Sequence, residues 1–236
     1  MRTMTITIII PALNEEKYLP KTLASVKALD RQPDKIIVVN AQSEDKTAQI
    51  AKSYGAKIVT VDRRSIGYSR NKGLKAATGD IVAYTDADTI LPPNWLSTIL
   101  RHIEKDHVVG VFGGFRVPDG PWWYRFYINV IQPFANTITF AIFKIPFATG
   151  QNMAFYRKNA LAAGGFPVDF KIAEDIEIAR RVMSTGKISF RQDFFVVASG
   201  RRGYEGFWQL ISRSFSAFFY YFIYRKADKI GFPNLR

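Results

Sequence analysis

The sequence predicts an α/β chain: a mostly parallel sheet flanked by helices, with aromatic amphipathic helices added in its second half. Three observations carry that expectation. Short apolar runs alternate with helix-period segments through the first half, the loops after those runs are polar and rich in carboxylates, and aromatic residues crowd into two later segments.

The first run, residues 5–10, is almost wholly apolar, as a strand covered on both faces of a parallel sheet must be. A helix is predicted over about 15–28, then strands over 35–39, 57–61 and 80–85, with helices near 47–54 and 67–77 between them. Repeated strand and helix units imply a doubly wound layer. Ligands in such sheets bind beyond the carboxyl ends of the strands. The loops there are Pro11-Ala12-Leu13-Asn14-Glu15-Glu16, Asn40-Ala41-Gln42-Ser43-Glu44-Asp45, Asp62-Arg63-Arg64 and Asp86-Ala87-Asp88. Turn and helix-capping chemistry explains any one of them. Four on one sheet edge point to a site.

Lysine and arginine outnumber acids 33 to 20, a formal charge of +13 that favours anionic partners: nucleic acid, phosphorylated small molecules or an anionic lipid surface. With no cysteine in the chain, disulfides, thiolate nucleophiles and sulfur-bound metals are excluded, so a metal must sit on oxygen or on His102 and His107. The amino-terminal residues lack the apolar core and cleavage site of a signal peptide, and the expectation is a location at the cytoplasmic face of a membrane.

Residues 121–147 and 207–224 hold the aromatic segments. The first is interrupted by Arg125, Asn129, Gln132, Asn136, Lys144 and prolines, short of the roughly 20 unbroken apolar residues of a spanning helix. Its Trp, Tyr, Arg and Lys content suits a helix lying in the headgroup region, although an internal helix or a dimer interface would share the pattern. The expected organisation is a catalytic domain over 1–200, with 121–147 as an interfacial insertion, and a membrane-proximal amphipathic helix over 201–236.

Asp86-Ala87-Asp88 puts two carboxylates just after a strand. Alternate residues of an extended segment point to opposite sides, so one acid can reach a metal while the other turns towards ribose or a basic neighbour. An all-oxygen site completed by phosphates and water suits Mg²⁺ or Mn²⁺.

Taken in order, Pro11–Glu16, Asn40–Thr47, Ser69-Arg70-Asn71-Lys72-Gly73, Asp86-Ala87-Asp88, Gly150-Gln151-Asn152, Gly164-Gly165-Phe166 and Glu174-Asp175-Ile176-Glu177 make the sequence resemble the family 2 inverting glycosyltransferases of the GT-A (Rossmann-like) fold. The likeness extends to dolichyl-phosphate mannosyltransferase-like and cellulose-synthase-like members. It implies a nucleotide sugar donor, GDP- or UDP-linked with a lean towards GDP-mannose, and a lipid-phosphate or glycolipid acceptor. Donor contacts would come from Pro11, Ala12, Asn14, Glu15, Glu16, Asn40, Ser43, Arg70 and Asp86, with Arg201 or Arg202 either clamping phosphate or forming a solvated or lipid-facing basic patch. Asp88, assisted by Asp86, would hold Mn²⁺ or Mg²⁺. Asp175 would be the general base, with acceptor contacts from Gly150, Gln151, Asn152, Glu174 and Trp208.

Two departures stand out. Asn40 replaces a more usual aspartate, and Gln209 and Arg213 are spaced one residue too far apart for the Gln-x-x-Arg-Trp motif of processive members, with no tryptophan following. A nucleotidyltransferase, releasing pyrophosphate, is a competing reading of the same acids and basic pocket. A basic nucleic-acid-binding module is another, weakened by the lack of any recognisable nucleic-acid motif.

Overall fold

A computed structural model describes residues 4–170, 172–219 and 221. Tyr220, Phe222, Tyr224 and Arg225 of the second aromatic segment lie outside the described residues. The strands are β1 (Ile6–Ala12), β2 (Lys35–Asn40), β3 (Lys57–Thr60), β4 (Ile81–Tyr84), β5 (Thr89–Ile90), β6 (Gly110–Arg116), β7 (Met153–Tyr156) and β8 (Ile188–Ala198). The α-helices are α1 (Leu19–Lys27), α2 (Thr47–Ser53), α3 (Ile66–Ala76), α4 (Trp95–Lys105), α5 (Trp122–Phe126), α6 (Gln132–Phe143), α7 (Arg157–Ala162), α8 (Glu174–Met183) and α9 (Phe207–Phe218). A π-helical turn, Tyr127–Ile131, joins α5 to α6, and a 3₁₀ segment, Gly200–Glu205, precedes α9.

One sheet runs β3-β2-β1-β4-β7-β6-β8-β5. Its first four strands are parallel, as the repeating units predict; β7 then runs antiparallel to both β4 and β6, β8 is parallel to β6, and β5 is antiparallel to β8. The antiparallel part begins where helical crossovers give way to the long excursion between β6 and β7. Strand β1 is buried throughout and supplies both cores by period-two alternation. Ile6, Ile8 and Ile10 pack with Leu19, Leu23, Trp95 and Ile99 under α1 and α4, while Ile9 packs with Ile37, Leu74, Tyr84, Phe166 and Val182 under α3 and α8. Each such side chain contributes roughly 1.5–3 kcal/mol on burial.

Trp122–Phe143 forms one continuous helical run of 22 residues, and an 18-residue stretch within it reaches a mean hydropathy of 1.2, so that by length and composition it could cross a membrane. The polar residues that interrupt the apolar pattern in the sequence fall within this unbroken helix. The π turn carries the chain into α6 just ahead of Pro133, whose missing N–H falls inside the run at the change from π to α geometry. Two asparagines turn inward, Asn129 clasping the backbone N–H and C=O of Val117 at 2.9 Å each and Asn136 being buried, while Arg125 is exposed. Tyr124 and Ile128 pack on Val117 and Ala198. The outer side carries Trp122, Phe126, Val130, Phe134, Ile138 and Ile142, all exposed and each four residues after the last.

Candidate active site

The parallel strands end in register, Ala12 beside Asn40, and this brings the first two loops together. They are stitched by side chains. Asn14 N–H donates to Ser43 Oγ at 3.0 Å and Glu44 N–H to Asn14 Oδ1 at 2.9 Å; Glu16 N–H donates to Asp45 Oδ2 at 3.0 Å and Lys46 N–H to Glu16 Oε2 at 3.1 Å. Asn40 Oδ1 closes its own turn by accepting Ser43 N–H at 3.0 Å. Burial would raise the Asp45 carboxyl, but bonds from the Thr47 hydroxyl and from backbone N–H groups hold it below the usual range. Asn14, Glu16, Asn40 and Ser43, expected as donor contacts, therefore shape the loop pair with these atoms. Pro11 and Ala12 are buried at the end of β1.

Arg70 has a different place from the one expected. It sits on α3 with its side chain 3% exposed, Nη2 donating to Asp86 Oδ1 at 2.8 Å and Nη1 to the Glu174 carboxylate. Burial disfavours its charge, and the carboxylates of Asp86, Glu174 and Asp175 keep it protonated. A fork spent on Glu174, which is buried, and Asp86, which is partly exposed, bridges two loops. Glu174, expected at the acceptor, is the far pier of that bridge. The rest of the Ser69–Gly73 motif serves the same junction. Asn71 Oδ1 accepts Phe166 N–H at 3.3 Å, in the turn where Gly165 has φ 68°, and Tyr84 Oη donates to the Arg70 carbonyl at 3.2 Å.

The bridge delivers Asp175. It stands in the first turn of α8, part-buried, with Oδ2 accepting Gly150 N–H at 3.0 Å and Oδ1 accepting Ile176 N–H at 2.9 Å. Burial and the neighbouring Glu174 charge push its carboxyl up to about 7, opposed by Arg70 and the two N–H groups. A carboxylate that gains a proton near neutrality is poised as a general base. Ala173, just before α8, is left-handed at φ 60°, a conformation that costs a non-glycine residue roughly 1–2 kcal/mol.

On the other side of the Asp-x-Asp loop, Asp88 faces Arg201. Arg201 Nη2 lies 3.0 Å from Asp88 Oδ2 and donates to Glu15 Oε1 at 2.7 Å, while Nη1 donates to Glu15 Oε2 at 3.0 Å. Glu15 is 3% exposed and committed to this pair, so it is not an open wall of a base pocket. Burial raises the Asp88 carboxyl, Arg201 lowers it, and Asp86 and Glu15 raise it further. Among the described residues, no three acids or histidines converge into a metal cage. The chemistry still fits Mg²⁺ or Mn²⁺, which keep waters and phosphate oxygens and need only one or two carboxylates. Asp86 and Asp88 each give one oxygen to an arginine, Asp86 at 2.8 Å and Asp88 at 3.0 Å, and Asp88 is the acid that the family resemblance puts on the metal.

Glycosyl transferase family 2 matches residues 7–165 of the chain. The chain belongs to that family. An uncharacterized glycosyltransferase of Mycobacterium tuberculosis is 36% identical over 100 residues, 42% of this chain and 44% of the relative. The chain thus matches less than half the length of that relative. Among solved structures, the mannosyltransferase PcManGT from Pyrobaculum calidifontis, in complex with GDP-Man and Mn²⁺, superposes with a TM-score of 0.72 at 23% identity over 98% of this chain and 67% of that one. TarS 1–349 from S. aureus, in complex with UDP-GlcNAc, gives 0.65 at 22% identity over 84% of this chain and 59% of that one. These likenesses establish the GT-A fold.

Other expected positions in this family 2 enzyme fall out differently. Asn152 is fully buried: Oδ1 accepts Trp95 Nε1–H at 2.9 Å, and Nδ2 donates to the Gly114 and Phe194 carbonyls at 2.9 and 3.0 Å. That side chain fastens β7 to β6, β8 and α4 and cannot reach an acceptor. Gln151 Oε1 accepts from Thr89 Oγ1 at 3.1 Å, next to the Asp-x-Asp loop. Arg202 is exposed, and Trp208 is exposed on α9 against Phe207. Sequence reasoning missed Tyr18, whose ring lies 4.6 Å under the Arg201 guanidinium. The spacing of Glu15 and Tyr18, three apart at the entry to α1, was the available signal.

Proposed function

We propose that this enzyme transfers a sugar from a nucleoside diphosphate to a membrane-proximal hydroxyl or phosphate acceptor in a single inverting displacement. Asp175 takes the acceptor proton as the acceptor oxygen attacks the anomeric carbon; the bond from that carbon to the diphosphate breaks on the far side, and the nucleoside diphosphate leaves with the electron pair. The observation that carries this reading is the Arg70 bridge. By joining Asp86 to Glu174 it holds the donor-side acids beside a carboxylate tuned to about 7. A divalent ion bound by Asp88 and the diphosphate would neutralise charge on the leaving group. Mn²⁺ and GDP-mannose are the first combination to test, supported by the PcManGT complex, while TarS with UDP-GlcNAc supports a uridine donor.

The membrane side of the reading rests on the exposed stripe of the Trp122–Phe143 run. Tyr124, Ile128 and Asn129 pack on the protein while the apolar stripe and Arg125 face outward, which supports a helix lying on an anionic bilayer surface.

The test is a panel of nucleotide sugars with Mn²⁺, following nucleoside diphosphate release with and without a polyprenyl phosphate. Asp88→Ala should lose metal-dependent donor binding. Asp175→Asn should keep donor binding and lose about 10²–10⁴-fold in turnover. Near-normal turnover in Asp175→Asn removes the base from this account.

A further inference from the structure

Arg201 was expected to reach a phosphate, yet its guanidinium is engaged with two carboxylates. Its backbone is fixed there by construction. Thr89 pairs with Ala198 across β5 and β8, Ser199 N–H donates to the Asp88 carbonyl at 3.1 Å, and Gly200 N–H donates to Asp119 Oδ1 at 2.6 Å. Gly200 and Gly203 lie so close to Asp119 and Tyr124 that a Cβ at either would collide, which pins the 3₁₀ segment against the start of α5. The side chain makes two unequal contacts. Glu15 is held by both Nη atoms, with Tyr18 stacked on the plane, whereas Asp88 shares Nη2 at the longer distance of 3.0 Å. Losing Asp88 would leave the bidentate Glu15 pair and the stack intact.

We propose that Arg201 is the resident counter-cation of Asp88, occupying that carboxylate in the empty enzyme and giving it up to the divalent ion while staying anchored on Glu15 and Tyr18. The proposal rests on the metal reading of Asp88 given above. A buried carboxylate, Glu15, and a partly buried one, Asp88, that meet at one guanidinium need a cation before the donor arrives, and a guanidinium tethered to Glu15 supplies it without closing Asp88. Loading then requires only a side-chain exchange at Asp88, with the 3₁₀ segment staying in place. The freed Nη2 hydrogen would face the ion's other ligands, where a diphosphate oxygen can accept it.

The experiment measures Mn²⁺ binding to the purified chain by the loss of the free-ion electron paramagnetic resonance signal, without nucleotide and with UDP or GDP. Arg201→Gln should bind Mn²⁺ about tenfold more tightly than the unaltered chain in the absence of nucleotide, the effect of removing a competitor near 1.4 kcal/mol. Arg202→Gln removes the same charge from the exposed neighbour, which also lowers the Asp88 carboxyl but less than Arg201 does, and should gain no more than about twofold because its exposed charge is screened. Arg201→Lys, which keeps the charge but cannot fork between two carboxylates, should fall between the two and serves if Arg201→Gln does not fold. Equal or weaker Mn²⁺ binding in Arg201→Gln, or in Arg201→Lys where only that variant folds, overturns the exchange, as does a gain matched by Arg202→Gln. If the unaltered chain binds no Mn²⁺ even with nucleoside diphosphate, the metal reading itself fails and the exchange falls with it.

Discussion

Arg70 and Glu174 stand 104 residues apart in the chain and meet as a buried ion pair, with Asp86 on the other arm of the same guanidinium. The bridge fixes the distance between the donor-side loop and the first turn of α8. It also sets the electrostatics of Asp175, which feels Glu174 as a repelling charge and Arg70 as an attracting one.

The first consequence is a pH profile. Asp175 must be ionised to accept a proton, so turnover should rise with pH through an apparent pKa of about 7. Glu174→Gln removes the repulsion and frees Arg70 to act more fully on Asp175, so the limb should move to lower pH by about one unit. Stability should run the other way. A folded-state carboxyl raised from 3.8 to about 7 holds a proton that the unfolded chain releases, so stability falls as pH rises through that window. Asp175→Asn should flatten this slope in denaturation curves measured between the two values. A turnover limb that Glu174→Gln leaves unmoved would contradict the coupling.

Gly150 gives a steric test of the same junction. Its N–H holds Asp175, and a Cβ there would fall inside the Arg70 guanidinium. Gly150→Ala must displace either the bridge or the base. Expected are a stability loss of about 1–3 kcal/mol and a fall in turnover of about 10²-fold, read by denaturation and by product release. Unchanged turnover would show that Arg70 has room to move.

Asn152 separates structure from acceptor binding. Asn152→Ala leaves the Trp95 N–H and two buried carbonyls without partners, at a cost of about 2–4 kcal/mol in denaturant unfolding. The folded fraction should keep its acceptor affinity. A selective rise in acceptor KM with unchanged stability would return Asn152 to the acceptor site.

The parallel half of the sheet was legible because strand burial on both faces leaves unbroken apolar runs such as Ile6–Ile10. The strand-end loops followed from topology, which is why Asp86 and Asp88 stood out as chemistry-bearing, whereas Asp175 was singled out by the family resemblance. What the sequence could not reveal was how polar side chains are spent. Arg70, Glu15 and Asn152 each have the chemistry of a ligand contact, and each is taken by a partner far along the chain, Glu174, Arg201 and Trp95. Pairings of that kind depend on which loops the fold brings into contact. Spacing along one sequence does not contain them. The same holds in the helical run, where Asn129 and Asn136 turn towards the protein, a placement that the apolar pattern alone does not contain.

That run makes the last prediction. Exposed residues four apart drift about 40° per step around an ideal α-helix, and the π turn at Tyr127–Ile131 reduces the drift, so Trp122, Phe126, Val130, Phe134, Ile138 and Ile142 stay on the outer side. Trp122 is 77% and Phe134 71% exposed, so replacing either with glutamate should change folding stability by no more than about 0.5 kcal/mol. In the headgroup region the same changes remove an apolar anchor worth roughly 1.5–3 kcal/mol and add a repelled charge, and binding to anionic vesicles should fall about tenfold or more for each. Sedimentation with vesicles of phosphatidylcholine and phosphatidylserine measures this directly. Vesicle binding that survives the double replacement Trp122→Glu and Phe134→Glu would assign the stripe to a protein partner, because no lipid-facing helix keeps its affinity with two carboxylates on its apolar side.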